Sequence, residues 1–195
     1  MLVIAMETGS WPDGSMRWAG RRHDDDRADA TSGSSSAELF DAVFHALHDG
    51  EQVALGLDCP LTMPASADNQ ADAGALAALA EPAVSRPGLA ELGYLLAELG
   101  TWRPWTTVST SLTWWKANTS ILVWQAVPAP GSDGGVPAST AADSFFRQFP
   151  AAVSHQPEPT GTVVNLAAAA ARRAGLFIDP SELAQPTLSI TVTAG

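Results

Sequence analysis

The chain has 195 residues, 46% of them hydrophobic and 16% charged, with a formal net charge of −11. This profile suits a globular chain able to bury a core and excludes a disordered or fibrous one. Lys116 is the single lysine among ten basic residues, and the acidic balance argues against non-specific binding to phosphate backbones or anionic lipid.

Cys59 is the sole cysteine, so no internal disulfide can form and a reducing compartment is the default. The start "MLVIAMETG" carries no basic region before its short apolar run, unlike a signal peptide, and no segment reaches the apolar length of a membrane span. A cytoplasmic, membrane-free protein of one domain, 1–195, is the expectation.

In chain order, residues 1–9 read as a buried strand ending at Glu7, and 15–23 as its hairpin partner after the Pro-Asp-Gly turn at 12–14. The polar run 24–36 reads as a solvated loop, its Asp24, Asp25 and Asp26 as surface charge rather than a metal cluster. A helix over 36–49 follows, with Ser35 and Glu38 as a capping box, Leu39, Phe40, Val43, Phe44 and Leu47 on one face, and Gly50 as its stop. His45 and His48 stand three apart on it without a third zinc ligand nearby, so they read as exposed histidines near a helix C-terminus.

"VALGLDCPLTMP" (53–64) is a fully apolar strand, as in a central parallel position, that ends on Asp58 and a proline-bracketed turn. Strand, helix, strand in succession implies a right-handed crossover and a layered α/β fold. Residues 65–85 read as an excursion with one weak helix at 72–80, and 87–100 as a helix with Leu89, Leu92, Leu96 and Leu99 on one face. Residues 106–120 mix β-branched and aromatic residues, 121–130 is a strong strand, and 139–149 a short helix capped by Ser139 or Thr140. A helix over 161–174 carries five consecutive alanines, which permit close packing, and "TLSITVTAG" closes the chain as a strand.

No phosphate-binding glycine loop, GxSxG elbow, HExxH or CxxC pair is present. Acids at element ends remain: Glu7, Asp58, and Asp143 in the short late helix. Ligands of open α/β sheets collect at the carboxyl ends of parallel strands. Converging carboxylates repel unless a cation holds them, and hard oxygens suit Mg²⁺ or Mn²⁺. The plain alternatives stay open: Asp58 as a turn cap, Glu7 in a solvated loop, Asp143 as a helix-dipole partner.

"ALGLDCPLTMP", "ILVWQAVPAP", a helix with "AADSFF" and "VVNLAAAAARRAGL", in this order, resemble the DUF429 family, a predicted nuclease group with a ribonuclease H-like fold. The resemblance covers most of the chain beyond residue 50, and its most specific part is the strand and turn around Asp58. It implies a three-layer α/β fold with a mixed central sheet flanked by helices. It also implies a divalent-metal-dependent phosphodiesterase or nuclease acting on nucleic acid or nucleotide, with Glu7, Asp58 and Asp143 as metal-site and catalytic carboxylates. The first-strand acid of such folds is usually aspartate, where this chain has Glu7. Gln125 stands where relatives place a glutamate, removing one negative charge. The alternative expectation is therefore a binding or scaffold protein that kept the fold and lost the metal site.

Trp102, Trp105, Trp114, Trp115 and Trp124 crowd into 23 positions. With little basic charge nearby, they read as core or as a protein interface, including one between copies of this chain, ahead of a base-stacking surface. Asn165, in an otherwise apolar segment, reads either as pointing into a cleft or as a core amide bonded to backbone. His155 is a candidate general base that nothing around it singles out.

Overall fold

The computed structural model describes residues 1–8, 16–22, 31–65, 73–86, 88–111, 119–131, 135–149 and 163–193. The tripeptide Asp24, Asp25, Asp26, together with Trp11, Trp114, Trp115, Lys116 and His155, lies outside them. The fold is α/β: seven strands form a mixed sheet in the order β3-β2-β1-β4-β7-β6, with β9 also pairing β7, flanked by helices. The chain groups into two compact units, one of Met1–Cys59, Trp124–Gln156 and Ser189–Gly195, the other of Pro60–Val123 and Pro157–Leu188.

The first unit is built on β1 (Leu2–Glu7). Its residues Leu2 to Met6 are buried, which explains why an unbroken apolar run, rather than an alternating one, forms this strand. Antiparallel β2 (Arg17–Arg22) pairs it from Leu2↔Arg22 to Glu7↔Arg17, and β3 (Thr31–Gly33) adds an edge inside the run expected to be a plain loop. After α1 (Ser36–His48), strand β4 (Val53–Leu57) returns parallel to β1, from Leu2↔Val53 to Met6↔Leu57. The Ser35–Glu38 capping box is present. Leu39, Val43, Ala46 and Leu47 are the buried face of α1, while Phe40 and Phe44 are half-buried and stack at 6.0 Å.

Strand β7 (Ile121–Pro128) brings fully buried Trp124, whose ring packs 4.9 Å from Phe145 of α4 (Ala138–Gln148). A Cβ on Gly56 of β4 would come within 2.1 Å of that indole, so the glycine makes room for the ring. Helix α4 packs on β1 and β2. It begins one residue before the expected caps, with Pro137 as N-cap and no side-chain capping bond of its own.

The second unit holds β5 (Thr62–Pro64), α2 (Ala73–Val84), α3 (Leu89–Trp102), β6 (Val108–Ser109), β8 (Val163–Asn165), α5 (Leu166–Arg173), a 3-10 turn at Pro180–Ala184 and the first residue of β9 (Leu188–Val192). The expected helix 161–174 is divided. Val163 to Asn165 pairs antiparallel with Thr62 to Pro64, and the helix starts only at Leu166. Asn165 explains the switch: its side chain accepts from Ala168 N–H at 2.9 Å and caps α5. The five alanines are buried where α5 packs on α2 and α3. A Cβ on Gly100 of α3 would stand 3.0 Å from the Ala174 carbonyl, which shows how close the two helices run.

Candidate functional site

The parallel register of β1 and β4 ends at Met6↔Leu57, so Glu7 closes β1 and Asp58 follows directly after β4, at the carboxyl ends of two neighbouring strands. Both are half-buried. Asp58 Oδ1 accepts from the Thr8 N–H at 2.7 Å and from Thr8 Oγ1 at 2.5 Å, which ties the exit of β1 to the end of β4. Glu7 Oε1 accepts from the Ala138 N–H at 2.9 Å, and so serves as the cap that Pro137 cannot provide to α4. Each carboxylate thus commits one oxygen to the fold; the other oxygen of each accepts no hydrogen bond among the described residues.

Asp143 occupies a different place. Its Oδ1 lies 2.8 Å from Arg21 Nε, in a half-exposed ion pair. That contact is a charge contact rather than an aligned hydrogen bond, since the buried Oδ1 has no hydrogen-bond partner among the described residues. Arg21 pairs in register with Val3, four residues before Glu7, roughly 13 Å along the strand. Helix α4 starts at Glu7 and carries Asp143 back along β1 and β2, away from the strand ends. The structure therefore sets Glu7 and Asp58 at the adjacent carboxyl ends of β1 and β4, and Asp143 beside Arg21. Among the described residues no group of three His, Cys, Asp or Glu side chains is placed to hold a metal ion.

Gln125, on β7, is half-buried. His45 and His48 are exposed; His45 Nδ1 sits 2.6 Å from the Asp41 carbonyl, and the His48 ring stacks on Phe44. The tryptophans separate by environment: Trp18 and Trp124 are core, whereas Trp102 and Trp105 are 62% and 69% exposed, as is Phe177 at 68%. In the second unit, the clefts along α5 are lined mainly by alanine and by the Glu81–Arg173 ion pair, and hold none of the expected site residues.

Sequence reasoning missed a buried polar cluster in the second unit. Glu182, 1% exposed, accepts at Oε2 from Thr110 N–H at 2.6 Å, Thr110 Oγ1 at 2.8 Å and Ser111 N–H at 3.1 Å. Ser109 Oγ lies 3.2 Å from the same oxygen and 2.8 Å from the Ser111 carbonyl, sharing its proton between them. Loss of water on burial pushes the Glu182 carboxyl above its ordinary 4.5, outweighing the pull of these donors. Thr110 Oγ1 also accepts from Asn165 Nδ2 at 2.8 Å, and Asn165 Oδ1 accepts from Thr187 Oγ1 at 2.9 Å. Two signals pointed here: "DPSE" at 179–182, with Asp179 accepting from Ser181 N–H as a cap and Pro180 in the first turn, and the hydroxyl-dense "STS" at 109–111. The cluster holds β6, β8 and the 3-10 turn to one another, a structural use of polar groups with every Asn165 atom satisfied.

Compared with protein-family models, with curated proteins and with solved structures, the chain matches none.

Proposed function

We propose that this chain is a divalent-cation-dependent phosphodiesterase of the ribonuclease H-like kind, with its cation site at Glu7 and Asp58. The observation that carries this reading is the parallel register of β1 and β4, which leaves Glu7 as the last residue of β1 and Asp58 as the first residue past the adjacent end of β4. The mixed sheet flanked by helices is the coarse architecture that the family resemblance implies. Two carboxylates are hard oxygen donors, and Mg²⁺ commonly takes only one or two from protein while keeping waters and adding substrate phosphate. The residues present fit a hydrated Mg²⁺ or Mn²⁺ of this sort.

When bound, such an ion supplies Lewis-acid polarisation of a phosphoryl oxygen and a more acidic water. The chain's own part is to fix the donors. Thr8 orients Asp58 by two hydrogen bonds, and the first amide of α4 orients Glu7. In hydrolysis, water adds to phosphorus, the bridging P–O bond breaks, and the departing alkoxide takes up the proton. Asp143 belongs in this reading to the charge balance around Arg21 and not to the first coordination shell.

A second reading, of a non-catalytic binding protein that kept the fold, draws on Gln125 in place of a carboxylate and on the Arg21–Asp143 ion pair. Calorimetric titration with Mn²⁺ of wild type and Asp58→Asn separates the two readings: the first requires that binding be lost in the variant.

A further inference from the structure

We infer that Arg17 is the phosphate-recognition residue of this site, and that it recognises the single phosphodiester of a short ligand such as a dinucleotide; the inference rests on the cation-site reading of Glu7 and Asp58. Arg17 opposes Glu7 directly in the antiparallel register of β1 and β2. Residues so paired project from the same face of a sheet, about 5 Å apart at Cβ. That face is the one α4 covers, since Glu7 bonds Ala138 of α4 and Arg21, two strand alternations from Arg17, meets Asp143 of α4.

The other described arginines of the first unit each have an acceptor: Arg21 meets Asp143, Arg22 meets Glu51 and Arg147 meets Ser144. Arg17 is exposed and has none among the described residues, although Glu7 faces it across the strands. A guanidinium left unpaired beside Glu7, with Asp58 one strand further across the sheet, offers a fork of donors that matches the non-bridging oxygens of a phosphate.

A cation at Glu7 and Asp58 would repel Arg17, and a phosphate lying between them resolves that repulsion by bonding to both. Cation and phosphodiester should then bind cooperatively, each raising the affinity for the other by the same factor. One guanidinium on a chain of net charge −11 suits one phosphate group. A long strand would have to lay further phosphates along an acidic surface, with few cations to replace its counterions.

The probe is dithymidine monophosphate, measured by calorimetry with and without Mn²⁺, with its uncharged methylphosphonate analogue as control. Wild type should bind the dinucleotide only with Mn²⁺ and should not bind the methylphosphonate. Arg17→Ala should weaken dinucleotide binding about 10- to 100-fold, the range expected for a lost charge-assisted contact. It should hold Mn²⁺ alone at least as tightly as wild type, and Arg17→Lys should recover part of the loss because it restores charge without the fork. Wild type that binds no dinucleotide, or Arg17→Ala that binds it as tightly as wild type, overturns the inference. So does a thymidine 20-mer that binds more tightly than its number of equivalent sites explains. If Asp58→Asn binds Mn²⁺ like wild type, the cation reading itself has failed; if Asp58→Asn is defective while Arg17→Ala is normal, only the role of Arg17 has failed.

Discussion

Glu7 Oε1 accepts a 2.9 Å hydrogen bond from the backbone N–H of Ala138, a residue 131 positions later in the chain. A strand-end carboxylate thereby caps the helix whose own N-cap, Pro137, offers no side-chain acceptor. The bond fixes where α4 begins over β1, and the other Glu7 oxygen accepts no hydrogen bond among the described residues.

That division predicts separable effects at position 7. Glu7→Gln keeps an acceptor for Ala138 and should unfold within a few tenths of a kcal/mol of wild type, while losing Mn²⁺ affinity. Glu7→Ala loses the cap as well and should cost about 1–2 kcal/mol in a denaturant titration. Equal stability of the alanine variant and wild type would show that the cap is immaterial.

Asp143 gives the opposite expectation. Because it faces Arg21 beside Val3 rather than the strand ends, Asp143→Asn should leave Mn²⁺ affinity within about twofold of wild type. The half-exposed ion pair it breaks is worth roughly 0–1 kcal/mol, so stability should move little. A tenfold loss of Mn²⁺ affinity would place Asp143 in the coordination shell and contradict its separation from the strand ends.

Much of the first unit was legible in the sequence, because its signals are local. The capping box at Ser35 and the unbroken apolar runs of β1 and β4 are each set by neighbours a few residues apart. The adjacency of Glu7 and Asp58 depends on their strands pairing, and the parallel register of β1 and β4 supplies that pairing. What could not be read is set by partners far away: Arg21 for Asp143, and the pairing of Val163 to Asn165 with Thr62 to Pro64, which turned the start of an expected helix into a strand. Helical periodicity was real in "NLAAAAARR", but the strand partner took the residues before it. The Glu182 cluster was hidden for the same reason, since its donors lie more than 70 residues from it.

Burial raises the Glu182 carboxyl above its ordinary 4.5, so the folded chain holds this proton more firmly than the unfolded chain. Its contribution is therefore fully present below about that value and is lost as pH rises through the raised one. Glu182→Gln keeps the acceptor without the charge. In denaturant titrations at pH 4, 5, 6 and 7, the stability of wild type relative to this variant should fall as pH rises. A flat difference would mean that the buried carboxylate carries no desolvation cost.

Asn165 joins a helix cap to the buried hydroxyls of Thr110 and Thr187. Asn165→Ala should lower unfolding stability by roughly 2–4 kcal/mol, about 1 from the cap and the rest from polar groups left unpaired in the interior. Asn165→Asp keeps the cap but sets a buried carboxylate against the Thr110 hydroxyl and the Gln185 carbonyl, so at neutral pH it should cost at least as much as alanine. A loss below 1 kcal/mol for alanine would show that water takes over the vacated bonds.

The central claim is that Glu7 and Asp58, side by side at the ends of β1 and β4, hold a divalent cation. Its most direct test is calorimetric titration of Mn²⁺ into wild type and Asp58→Asn. The asparagine keeps an acceptor for Thr8, so the fold is retained while a negative ligand is removed. Saturable binding by wild type with a tenfold or greater loss in the variant is the predicted result. Identical isotherms for the two proteins would contradict the claim.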